Sequence, residues 1–152
     1  MTLDLAGMGD HADAEGPFTL DRYADEVGKV ADLLAGPVVI VGHSVGAPIT
    51  ELVAAKRPDT VALVLIVSVP LAGTHFPAEA LAPFSQAAGK RRGHACLYLG
   101  RFRRGPVLLL PGATDTVASP DSVKNQVAPG FAEARILWSR MRATGPTSSS
   151  TR

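Results

Sequence analysis

The residues whose types and spacing could do chemistry are Gly42-His43-Ser44-Val45-Gly46, a serine with a glycine two positions away on each side. A serine hydroxyl is a weak nucleophile at neutral pH. An enzyme that uses one must hold it clear of its neighbours, near a base and near donors for the oxyanion that forms when a carbonyl is attacked. A G-x-S-x-G turn between a strand and a helix does this: the serine takes a sharp corner, and Gly42 and Gly46 leave room where the two chain directions nearly meet. The helix N-terminus then lies beneath the hydroxyl, and the backbone N–H of Val45 points where a tetrahedral oxyanion would form. The bare spacing arises by chance in roughly one chain in twenty of this length, and a serine at such a corner also serves as a plain helix cap. The flanking elements therefore decide between the two.

Those elements fit the display. Val38 to Val41 are apolar at every position, the pattern of a parallel strand covered on both faces, and a helix is expected from the serine turn to Lys56, with Ile49, Leu52 and Val53 inward and Pro48 harmless in its first turn. Before the strand, Thr19 is placed to cap a helix whose Leu20, Tyr23, Ala24, Val27, Val30 and Leu34 share a face, ended by Gly36-Pro37. The opening Thr2 to Leu5 reads as the end of a strand leading into a glycine-rich turn. Beyond Arg57-Pro58-Asp59, Val61 to Val67 and Val107 to Leu110 read as two more buried strands. A short helical piece is expected over Ala78 to Ala88, no clean period over Gly89 to Gly105, a weak helix over Pro120 to Val127, a turn at Pro129-Gly130 and a short strand over Ala134 to Trp138. Alternating strands and helices define an α/β parallel sheet. The expected organisation is a single domain over 1–138, with a short lid-like insertion at about 71–105, and a compositionally disordered tail over 139–152.

Composition bounds the partners. The chain has 152 residues, enough for one domain with a core. No run approaches the roughly 18 apolar residues of a membrane span, and the opening lacks the basic and apolar regions of a signal peptide. The single cysteine, Cys96, excludes an internal disulfide and a cysteine-rich metal site and suits a reducing compartment, so a cytoplasmic location is expected. The net charge of +1 hides an asymmetry: 11 of the 14 acids precede Ala87, against 4 of the 15 bases. The basic cluster over 90–104, with Tyr98 and Phe102, has the composition of a nucleic-acid patch, but no recognised binding module surrounds it and charge runs are mostly solvated. No nucleic-acid or membrane partner is expected.

In their order these parts resemble the α/β-hydrolase superfamily, over about residues 2–70 and again over 106–138. Asp4-Leu5-Ala6-Gly7-Met8-Gly9 is similar to the D-x-x-G-x-G turn after the family's fourth strand. Val38 to Gly46 resembles its fifth strand and nucleophile elbow, and Ala55 to Val61 the run that opens its sixth strand. Gly112-Ala113-Thr114-Asp115 is similar to the loop after the seventh strand. The resemblance implies a parallel sheet between helical layers, with Ser44 as nucleophile, the Val45 N–H as oxyanion donor and Asp115 as the carboxylate that orients a histidine. Asp115 also reads simply as a turn residue. The implied reaction is esterase-like transfer of an acyl group from a small-molecule ester or related carbonyl to water, with no metal or organic cofactor.

Departures from the pattern shape the expectation as much as the matches. The sequence opens at what corresponds to the fourth strand, without the loop that gives the family its second oxyanion donor. It carries a reduced cap and has no histidine after Asp115. Of the four histidines, His43 fills the variable position of the elbow, His11 ends the glycine turn, His94 lies in the basic segment, and His75, shortly after the second buried strand, is the substitute base on offer. The resemblance thus describes a shortened member. The alternative is a non-catalytic protein of the same fold that binds a ligand or a partner, with self-association through an open edge of the Val38 to Val41 strand.

Overall fold

The computed structural model describes residues 1–68, 102, 105–116 and 118–138. The stretch read as a lid, with His75, His94 and Cys96, and the tail over 139–152 lie outside the described residues.

Four strands form one parallel sheet in the order β1 (Val38–His43), β2 (Thr60–Ile66), β3 (Val107–Leu110), β4 (Ala134–Ile136). The register is continuous at its carboxyl edge, where His43 pairs with Ile66 and Ile66 with Leu110. The sequence-based limits of these strands hold to within two residues. The strand foreseen over Ala134 to Trp138 stops at Ile136, although the Leu137 N–H still donates to the Leu109 carbonyl. Thr2–Leu5, expected to end a strand, pairs with no strand among the described residues.

Two helices precede and follow β1. Helix α1 (Leu20–Ala31) is capped as foreseen: the Thr19 hydroxyl accepts from the Arg22 N–H at 3.1 Å. The helix ends before Gly36-Pro37, and Leu34 lies beyond it, half-exposed. Helix α2 (Gly46–Lys56) buries Ile49, Leu52 and Val53. The Arg57 guanidinium fastens the end of α2 to the end of α1. It donates to the carbonyl of Gly28 at 3.2 Å and pairs with the carboxylates of Asp32 and Asp59, the latter held below its usual range by that guanidinium. After β3, a helical turn α3 (Pro120–Ser122), capped by Ser119, runs into a π-helical turn, Val123–Val127, and a 3₁₀ turn, Ala128–Gly130.

The core lies on one face of the sheet. Leu63, Leu65, Val107 and Leu109 pack with Ala47 and Ala54 of α2 and with Val123, Val127 and Phe131. Ile40 joins them to a second cluster of Ala6, Tyr23, Ala24, Ile49, Leu52 and Val53. Among the described helices α2 packs on this face and α1 packs against α2. The expectation that β1 is covered on both faces is therefore corrected: Val38 and Gly42 are buried, but among the described residues Val39 and Val41, on the opposite face, are 56% and 59% exposed. An unbroken apolar run fixes a strand but does not count the layers upon it.

Candidate active site

The site is built at the corner between β1 and α2. Ser44 is the first residue past the strand, is exposed, and has φ of +53°, a left-handed conformation that costs a non-glycine residue on the order of 1–2 kcal/mol. Its backbone is over-determined: the N–H donates to the Ile66 carbonyl at 3.0 Å, extending the sheet ladder, and its carbonyl accepts from the Ala47 N–H at 3.0 Å, opening α2. Gly42 makes the corner possible, since a Cβ there would run into the Gly46 carbonyl and the Thr50 hydroxyl. Gly46 does not match its sequence reading. A Cβ at that position meets nothing within 4 Å, so steric crowding does not require glycine there among the described residues. Val45 is the residue just before α2, so its N–H is the first free donor beside the serine at the positive end of the helix.

Asp115 lies on the same rim. It follows β3 by five residues, β3 is separated from β1 by one strand, and two strand spacings amount to about 10 Å. The carboxylate is half-buried and positioned by its own loop: the Asp115 N–H donates to the Gly112 carbonyl at 3.1 Å, and Oδ1 accepts from the Ala118 N–H at 2.8 Å. Between the two lies the end of β2, where Val67 also has a positive φ, +51°, while its N–H donates to the Leu110 carbonyl at 3.1 Å. Two non-glycine residues in the left-handed region on one sheet edge mark a constrained rim, the place where strain and function gather. Val67 had no signal in the sequence, because strain of this kind follows from register.

Two of the four histidines, His11 and His43, lie among the described residues. His43 lies on the open face of β1 and is exposed. His11 sits in the 3₁₀ turn Gly9–His11, its Nδ1 3.0 Å from the Asp4 carbonyl oxygen. That turn is closed by Asp4, whose Oδ2 accepts from the Asp10 N–H at 3.1 Å and stands where a Cβ on Gly9 would be; Gly7 and Gly9 both have positive φ. The hydroxyl of Tyr23 donates to the Ala6 carbonyl at 3.0 Å, tying the turn to α1. His75, the base foreseen as a substitute, lies outside the described residues. One titratable group escaped the sequence reading: Glu51 of α2 is 7% exposed, and burial pushes its carboxyl up to about 7. It stands seven positions beyond Ser44, about 10 Å down the helix. Among the described residues no group of three or more histidine, cysteine, aspartate or glutamate side chains could hold a metal ion, and no helix is long and apolar enough to cross a membrane.

A strained serine at a strand-to-helix corner and a carboxylate two strands away on the same rim of a parallel sheet are features of one fold family. The model of the alpha/beta hydrolase family matches residues 1–150, and the chain belongs to that family. Among solved structures it is similar to BpoC of Mycobacterium tuberculosis H37Rv, described as a candidate non-heme bromoperoxidase, with 20% identity over 90% of this chain and 70% of that one and a TM-score of 0.65. The type II thioesterase YbtT of the yersiniabactin pathway has 14% identity over 89% of this chain and 71% of its own, with a TM-score of 0.61. A carboxylesterase of the ammonia-oxidizing thaumarchaeon Nitrososphaera gargenis has 17% identity over 82% and 65%, with a TM-score of 0.53. At such identities the likeness speaks for the fold. No curated protein sequence matches the chain.

Proposed function

We propose that this protein is a serine hydrolase that transfers the acyl group of a small ester or thioester to water through an acyl-enzyme on Ser44. The Ser44 hydroxyl attacks the carbonyl carbon, and the Val45 N–H stabilises the resulting oxyanion. Asp115 orients and stabilises the histidine that takes the serine proton and returns it to the leaving group, with His75 as the candidate base. The single observation that carries the reading is the left-handed Ser44 at the β1–α2 corner, exposed and held by Gly42 against the first turns of α2. A capping serine needs no such backbone. The esterase and thioesterase among the structural neighbours set the substrate class tested first.

A burst experiment with p-nitrophenyl acetate tests it. Wild type should release one equivalent of p-nitrophenol per chain ahead of steady turnover, and Ser44→Ala should abolish the burst. Asp115→Asn should slow acylation, by on the order of 10⁴-fold where the triad is fully formed. Release that is linear and identical in wild type and Ser44→Ala would refute the proposal. The second reading, a binding protein of hydrolase fold, is favoured by one specific observation: among the described residues no strand pairs with the outer edge of β1 beside the serine.

A further inference from the structure

Val67 carries the second left-handed backbone of the rim, φ +51°, on a β-branched side chain. Glycine takes this conformation without steric cost, whereas for valine it is an outlier that persists only where the surroundings over-determine it. Two sets of contacts do so. The first is made by the peptide between Ile66 and Val67. Its carbonyl accepts from the Ser44 N–H at 3.0 Å, and its N–H donates to the Leu110 carbonyl at 3.1 Å. One planar unit thus joins β2 to both neighbours, bonded to Ser44 on one side and to the strand that leads into the Asp115 loop on the other. The second is made by the side chain. Val67 packs against the cluster that contains Ala47 and Ala118, both 0% exposed. The Ala47 N–H donates to the Ser44 carbonyl, and the Ala118 N–H donates to Oδ1 of Asp115. One residue is therefore joined to the supports of both Ser44 and Asp115, by hydrogen bonds through its backbone and through one shared cluster by its side chain.

We propose that Val67 is a positioning residue: its left-handed backbone, pinned by its packed side chain, holds the Ser44 corner and the Asp115 loop at the fixed separation that a histidine between them requires. The catalytic consequence rests on the hydrolytic reading. The mechanical coupling of corner to loop does not. A glycine at this position would make the same bend, but with no side chain in the core its φ would be free to wander. The corner and the loop would then drift independently, and a misplacement of about 1 Å is enough to cost on the order of 10²-fold in rate. Valine exchanges an unfavourable φ for a bend that cannot move.

The test compares Val67→Gly, Val67→Ile and Val127→Ala in the full chain, by amide hydrogen exchange and by the p-nitrophenyl acetate burst. Val67→Gly should speed exchange at Ser44 and Asp115 at least tenfold relative to Leu63, whose N–H is bonded to the Pro106 carbonyl earlier in β2. Its burst rate at saturating substrate should fall at least tenfold, with the half-saturating concentration within twofold of wild type. Val67→Ile keeps the β-branch and the packing, so both readouts should stay within twofold of wild type. Val127→Ala removes packing from the same cluster but outside the corner and the acid loop. It should lower the unfolding midpoint and leave the exchange ratio unchanged. Exchange at Ser44 and Asp115 that moves no more than at Leu63 in Val67→Gly, that moves equally in Val127→Ala, or that rises as much in Val67→Ile would each overturn the proposal. So would an undiminished burst rate in Val67→Gly. A wild type without a burst would sink the hydrolytic reading, and the exchange ratios would still decide the coupling.

Discussion

Ser44 and Gly42 act as one unit. The serine stays in a left-handed corner because bonds on both sides hold it, and the corner closes because Gly42 has no side chain to keep α2 away. Gly42→Ala should push the first turns of α2 outward, lower stability by about 1–3 kcal/mol in chemical denaturation, and remove the reactivity of Ser44. The motif made this pair legible, because its spacing specifies a steric problem with one solution. Gly46 belonged to the same motif and its reading did not survive, since crowding depends on neighbours that spacing does not name. Glu51 was illegible for a similar reason: nothing in a sequence marks which helical carboxylate is buried. Its folded-state carboxyl, pushed up from 4.5 to about 7, holds its proton where the unfolded chain has lost it. Glu51 therefore costs nothing below pH 4.5, and stability falls as pH rises toward 7, by roughly 3 kcal/mol at most. Glu51→Gln should flatten the dependence between pH 5 and 8 and raise the denaturation midpoint at pH 8.

At the scale of elements, the chain declared itself through caps and stops. Thr19 begins α1, Arg57 ends α2 while its guanidinium binds the two helix ends together, and the apolar run Val107–Leu110 is β3 at its exact limits. Where the reading missed, a long-range partner was the deciding factor. Thr2–Leu5 has the residues of a strand, and among the described residues no strand pairs with it. The helix foreseen over Pro120 to Val127 becomes a single turn and a π-helical turn, with Val123 and Val127 both buried in the core. At the start of β2, where the register slips between Val38 and Val39, Thr60 is 1% exposed and its hydroxyl finds no partner among the described residues. Thr60→Val keeps the shape and removes the unsatisfied group. It should raise stability by about 1 kcal/mol, as measured by the urea midpoint at constant m-value.

On the scale of the whole molecule, the described residues form a sheet with a buried face, an open face and an open edge. The parallel order was readable from three motifs in sequence order, and the residues of the candidate site lie at the carboxyl edge, where ligands and catalytic groups collect in parallel sheets. The distribution of cover was not readable, since β-branched residues suit a strand on either face. Val39→Lys tests the open face. It should leave the unfolding free energy within about 0.5 kcal/mol and reduce the fluorescence of a bound anilinonaphthalene sulfonate probe, whereas a covered residue would lose far more stability.

The central claim is that the Ser44 hydroxyl, held at its corner, is an activated nucleophile. Treating the full-length chain with a fluorophosphonate and mapping the adduct by peptide mass spectrometry measures it directly. The account predicts one adduct per chain, located on Ser44, absent from Ser44→Ala and strongly reduced in Gly42→Ala. A wild-type chain that stays unmodified at high probe concentration, or an adduct on another residue that persists in Ser44→Ala, would contradict it.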